Sequence, residues 1–124
     1  EVNRLRVSLK KFDTEQIPLK KTILLGFSQG AAMAIDSGSN LNLGLIVSCS
    51  GYAHPKWTPQ IKFPPLIVSH GQMDDVVPIE ASRSIYEKVK SKSANFCKLI
   101  EFNGSHQIDL NLIEIIDSNI KDLF

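Results

Sequence analysis

The sequence predicts an α/β fold with about four mostly parallel strands and helices on both faces. Two observations predict it. Short apolar runs recur along the chain and are continuous rather than alternating, as in strands buried on both faces of a sheet. Between them lie segments whose apolar residues fall three or four apart, the spacing of helices with one buried side. Such an alternation gives a parallel sheet covered by helices, and it puts function at the carboxyl ends of the strands.

Val2, Leu5, Leu9 and Phe12 make residues 3–11 an amphipathic helix with a basic outer face, and residues 13–21, broken by Pro18, a connector. Residues 22–27 are the first strand, ending in Gly26-Phe27, and the small residues 31–35 continue as a helix able to pack close to the sheet. Residues 43–48 and 65–69 are the second and third strands, with a proline-rich, aromatic loop over residues 51–64 between them. Pro78 opens a helix over residues 79–90, with Ile79, Ile85 and Val89 on its apolar side. Residues 96–102 form the fourth strand, and Ile108, Leu112, Ile115, Ile116 and Leu123 mark a long final helix.

The composition, 43% hydrophobic and 22% charged over 124 residues, is that of one globular domain, residues 1–124. Its 14 basic and 13 acidic residues are interspersed, so no basic face points to nucleic acid. No apolar run approaches the roughly 20 residues that span a bilayer. Cys49 and Cys97 lie in strand-like runs without CxxC or metal-ligand spacing, which favours buried free thiols and a reducing, cytoplasmic setting. The chain opens at Glu1 on a helix already in progress, so it reads as N-terminally truncated.

Chemistry concentrates where the strands end. Gly26-Phe27-Ser28-Gln29-Gly30 stands between the first strand and the small-residue helix, the setting of a nucleophile elbow. Glycines on both sides of the serine would relieve collisions in a tight turn, and the Gln29 N–H at the helix start would face a developing oxyanion. Asp74 and Asp75 follow the third strand, and His106 follows the fourth on Asn103-Gly104-Ser105-His106. A serine hydroxyl is a weak nucleophile at neutral pH, so a neutral histidine must take its proton and a carboxylate must fix the histidine's tautomer. The order serine, acid, histidine supplies one candidate for each role, with either aspartate as the acid.

Gly26-Phe27-Ser28-Gln29-Gly30 with Ala31-Ala32-Met33, Ser50-Gly51-Tyr52, His70-Gly71-x-x-Asp74-x-Val76-Val77-Pro78 and Gly104-x-His106 together resemble the phospholipase/carboxylesterase family of α/β-hydrolases, which includes acyl-protein thioesterases and bacterial carboxylesterases. The resemblance runs over nearly the whole chain. It implies the C-terminal portion of an α/β-hydrolase fold, with Ser28 as nucleophile, Asp74 rather than Asp75 as acid, His106 as base and Gln29 as oxyanion donor. It implies a serine hydrolase of carboxylic esters or thioesters, acting on a small-molecule or acylated substrate. The alternative is a catalytically silent fragment serving as a binding or assembly module.

His70 is expected to hydrogen-bond and shape the acid loop, and His54 to be an exposed loop residue. Trp57, Pro59, Phe63 and Pro64 are either a wall for an acyl chain or a loop pinned by its aromatics. The histidines and carboxylates lack metal-site spacing, so neither metal nor cofactor is expected. In the resembled family an earlier half adds strands and the loop that donates a second oxyanion N–H. No His-Gly-Gly-like segment precedes Ser28 here, and the first strand is left with one free edge. A homodimer or a larger parent chain is expected to cover that edge.

Overall fold

The computed structural model describes residues 2–11, 13, 15, 17–92 and 96–124. Helix α1 (Val2–Lys11) leads through a 3-10 turn at Leu19–Lys21 into β1 (Ile23–Phe27), α2 (Gln29–Gly38), β2 (Leu45–Cys49), β3 (Leu66–Gly71), α3 (Ile79–Lys92), β4 (Cys97–Phe102) and α4 (Leu112–Leu123). All the predicted elements are present; Phe12, assigned to the apolar stripe of α1, lies outside the described residues. The four strands form one sheet in the order β1-β2-β3-β4, every pair parallel.

Because the strands advance in one direction, right-handed crossovers put α2 and α3 on the same face. Ile35 of α2 and Ile85 and Val89 of α3 bury against Ile46, Leu66 and Val68, with Leu9 of α1 at the margin. Helix α4 packs onto the opposite face, where Leu112 and Ile116 cover Leu45, Val47, Cys49 and Ile67. Consecutive β2 residues therefore feed opposite clusters, and all five are buried, which is why β2 reads as an apolar run.

The strands and α3 shift by a residue or two from the sequence reading, and two helices shift further. Helix α2 runs on to Gly38, and the Ser37 and Ser39 hydroxyls there donate to the carbonyls of Met33 and Ile35. Helix α4 begins at Leu112 rather than near Ile108: Ile108 and Leu110 are exposed, and the Asp109 carboxylate accepts the Asn111 N–H in a turn that precedes the helix. The β2–β3 crossover has no helix. It is the residue 51–64 loop, and Trp57 and Phe63 sink from it into the α2/α3 core, edge to face with ring centroids 5.9 Å apart. Trp57 Nε1–H donates to the Ser39 hydroxyl at 3.3 Å, so these aromatics pin the loop. Among the described residues no helix is long and apolar enough to cross a membrane.

Candidate active site

Ser28 sits between β1 and α2 at φ 57° and ψ −116°, a backbone conformation that L-residues rarely adopt. Two contacts hold it there. The Ser28 N–H donates to the Cys49 carbonyl at 2.9 Å, continuing the β1–β2 pairing into the turn. Gly26 lets α2 descend against the strand, since a Cβ there would stand 2.2 Å from the Gly30 carbonyl oxygen. Gly30 plays no such part: a Cβ there meets nothing within 4 Å, which corrects the expectation that both glycines relieve collisions. The Gln29 N–H is the first of α2 and has no carbonyl a turn behind it within the helix.

The acid turn leaves β3 at Gly71. Asp74 Oδ1 accepts the N–H groups of Val76 at 2.9 Å and Val77 at 2.8 Å, and Oδ2 faces His106 Nδ1 at 2.8 Å. The Asp74 side chain is inaccessible to solvent. Burial alone would raise its carboxyl, but the hydrogen bonds from Val77, His106 and Val76 outweigh burial and hold it below the usual carboxylate range. It is therefore an anion at neutral pH. Asp75 is exposed and makes none of these bonds.

The acid turn and the histidine loop are tied together beyond the ends of their strands. Gln72 N–H donates to the Phe102 carbonyl and Met73 N–H to the Gly104 carbonyl, both at 2.9 Å. Gly71 makes this approach possible, because a Cβ on it would lie 2.3 Å from the Ser105 carbonyl oxygen and 2.4 Å from that of Gly104. From β2, the Ser50 hydroxyl donates to the Gln107 carbonyl at 3.2 Å, and the Phe27 ring lies 4.8 Å from the His106 ring, tilted by 41°. His106 Nε2 is thereby placed 3.1 Å from Ser28 Oγ. The Asp74 carboxylate can only accept, so Nδ1 carries the imidazole proton and Nε2 is free to take one from the serine.

Ser28, Asp74 and His106 thus converge from three loops, with the Gln29 N–H beside the nucleophile. A groove of about 290 Å³ begins at Gln29 and continues along Ala32, Met33, Tyr52 and Pro55. His54 is exposed at its rim, and its Nδ1 accepts the Lys56 N–H. Burial pushes the Cys49 and Cys97 thiols up to about 11, so both stay protonated and poorly nucleophilic at neutral pH. Among the described residues no group of three or more His, Cys, Asp or Glu side chains is placed to hold a metal ion.

Sequence reasoning missed two supporting residues. Phe27 is an unspecified position within the elbow motif, and only the fold brings its ring against His106. Ser50, also at positive φ (50°), was visible as part of Ser50-Gly51-Tyr52, but its bond to the histidine loop spans 57 residues.

The family model described as phospholipase/carboxylesterase matches residues 3–123. Acyl-protein thioesterase 1 homolog 2 of Dictyostelium discoideum is 33% identical over 99 residues, 72% of this chain and 45% of that protein. Homolog 1 from the same organism is 32% identical over 93 residues, 68% of this chain and 41% of that one. The chain thus spans less than half the length of these curated relatives. The crystal structure of Arabidopsis thaliana SOBER1 superposes with a TM-score of 0.80 at 26% identity, covering 98% of this chain and 62% of that one. By this match over nearly its whole length, the chain belongs to the phospholipase/carboxylesterase family.

Proposed function

We propose that this chain carries the triad of a serine hydrolase that cleaves carboxylic esters or thioesters through an acyl-enzyme. The observation that carries the reading is the continuous hydrogen-bond path from Ser28 Oγ through His106 to Asp74, at 3.1 and 2.8 Å. Ser28 Oγ attacks the carbonyl carbon while His106 Nε2 takes its proton, and Asp74 stabilises the imidazolium that forms. The negative charge that develops on the carbonyl oxygen faces the Gln29 N–H. Collapse of the adduct expels the alcohol or thiol, which receives the proton from His106. Water, deprotonated in turn by His106, then releases the acid and restores the serine. The groove beside Gln29 takes part of the substrate, and its apolar Ala32, Met33 and Pro55 suit a hydrocarbon segment.

With Gln29 as its single N–H donor the oxyanion would be held weakly and turnover slow, because one such donor is worth about a hundredfold to a thousandfold. The free edge of β1 is covered by a further strand, from a larger parent chain or from a second copy. The two free thiols accord with a reducing, cytoplasmic setting.

A fluorophosphonate probe, which phosphonylates an activated serine with loss of fluoride, tests the reading together with hydrolysis of p-nitrophenyl acetate and octanoate. Labelling and turnover that vanish in Ser28→Ala support it. Equal signals from the two proteins would leave a silent binding or assembly module as the better description.

A further inference from the structure

His70 is fully buried at the carboxyl end of β3, and the triad as described makes no use of it. Both of its ring nitrogens are engaged. Nε2 lies 2.7 Å from the Val77 carbonyl and 3.3 Å from Asp74 Oδ2, while Nδ1 lies 2.5 Å from the Ser82 hydroxyl on α3. A carbonyl oxygen only accepts, so Nε2 carries a proton and donates it to Val77, which leaves the ring edge 3.3 Å from Asp74 Oδ2. Asp74 Oδ1 thus takes two backbone N–H groups and Oδ2 faces His106 Nδ1, with the His70 ring close behind Oδ2.

We propose that His70, held from behind by Ser82, is a positioning residue that clamps the acid turn at Asp74 and Val77, so that Asp74 Oδ2 meets His106 Nδ1. This rests on the serine-hydrolase reading and deepens it. Without His70, only the Val76 and Val77 N–H groups locate the carboxylate, and both act on Oδ1. The carboxyl group would then be free to turn about that oxygen and carry Oδ2 off the imidazole. The other charged group facing His70 is Glu101, opposite it in register on β4 and paired with Arg83 of α3 through bonds of 2.7 and 2.9 Å.

The test compares His70→Gln, whose amide N–H can replace Nε2–H, with His70→Leu, which donates nothing, and with Ser82→Ala. The first readout needs no turnover: exchange of the His106 Nδ1 proton with solvent, followed by NMR on 15N-histidine-labelled protein. His70→Leu is expected to speed exchange at least about tenfold, Ser82→Ala about threefold, and His70→Gln by less than twofold. The second readout is kinetic. His70→Leu is expected to lower kcat about 100-fold, with KM changed less than threefold, and His70→Gln to recover most of the loss. A His70→Leu protein that is less heat-stable yet keeps the wild-type exchange rate overturns the proposal. If that variant does not fold, unchanged exchange in Ser82→Ala does so. Failure of the fluorophosphonate reaction overturns the hydrolase reading instead, and the exchange measurement separates the two.

Discussion

Around Asp74 and His106, both carboxylate oxygens and both ring nitrogens are hydrogen-bonded, and two backbone bonds past the strand ends tie the acid turn to the histidine loop. Around Ser28 the surface is open: Gln29 and Gly30 are exposed, and β1 is paired on one side only. The difference separates two jobs that a triad performs. Proton transfer needs distances fixed to a few tenths of an ångström, and the β3–β4 side supplies that within 36 residues of chain. Charge stabilisation needs N–H groups gathered around a point in space, and the β1 side supplies the Gln29 amide. A larger concavity, about 780 Å³ near Ile61, Lys62 and Lys92, lies away from the triad, so size does not locate the chemistry here. Convergence of hydrogen bonds on one strained serine does.

The largest expected effect breaks the finished side. Asp74→Asn keeps the shape of the side chain but removes the charge that orients and stabilises the His106 imidazolium, and it should lower kcat about 10⁴-fold with little change in KM. Asp75→Asn, one residue away and exposed, should stay within about twofold. Parallel steady-state kinetics on p-nitrophenyl acetate checks the pair, and equal losses would mean that the acid turn is held differently. Next in size is Gly71→Ala. Its Cβ would press on two backbone carbonyls of the histidine loop, which cannot yield as a flexible side chain would. A displacement of about 1 Å at His106 should cost about 100-fold in turnover, with fluorophosphonate labelling slowed in proportion.

That side of the site is also where the sequence was most legible, and the reason is local. Asp74 binds N–H groups two and three residues on, so its turn is written in one short stretch, His70-Gly71-Gln72-Met73-Asp74-Asp75-Val76-Val77-Pro78. The strands were legible for the same reason: a short apolar run such as Leu45-Ile46-Val47 finds its place buried between two helical layers. The start of α4 was not. Ile108 and Leu110 continue its apolar spacing, yet the turn closed by Asp109 sets them outside the helix. Nor did pattern reveal Phe27 against His106, or which way Trp57 and Phe63 face, because those contacts join residues far apart in the chain.

The open side sharpens the comparison through its two glycines. Gly26→Ala places a Cβ 2.2 Å from the Gly30 carbonyl oxygen, and the strand and helix must separate to admit it; overpacking of this kind destabilises by about 1 to 3 kcal/mol. Gly30→Ala meets open space within a helix and should be neutral or stabilising by up to about 1 kcal/mol. Urea unfolding of the two variants checks the asymmetry. A Gly30→Ala protein with full stability and lost turnover would show that substrate occupies the space beside Gly30.

The smallest effect concerns acid stability, where Asp74 and Glu101 act in the same direction by different means. Hydrogen bonding from Arg83 holds Glu101 below its usual range, and the hydrogen bonds around Asp74, opposed by burial, do the same there. A carboxyl whose folded pKa is depressed contributes stability that is complete above its unfolded value and is lost as pH falls through the folded one. Both contributions should therefore be full at neutral pH and decline below about pH 4. Salt separates them. Glu101 and Arg83 lie at the surface and are screened, whereas the Asp74 bonds are shielded from solvent and are not. Raising the ionic strength to about 1 M should flatten part of the acid slope in wild type and all of the part that Glu101→Gln removes. The slope that survives salt should disappear in Asp74→Asn. If salt abolished the entire slope, the Asp74 carboxylate would have to be far more accessible than its place between His70 and His106 allows.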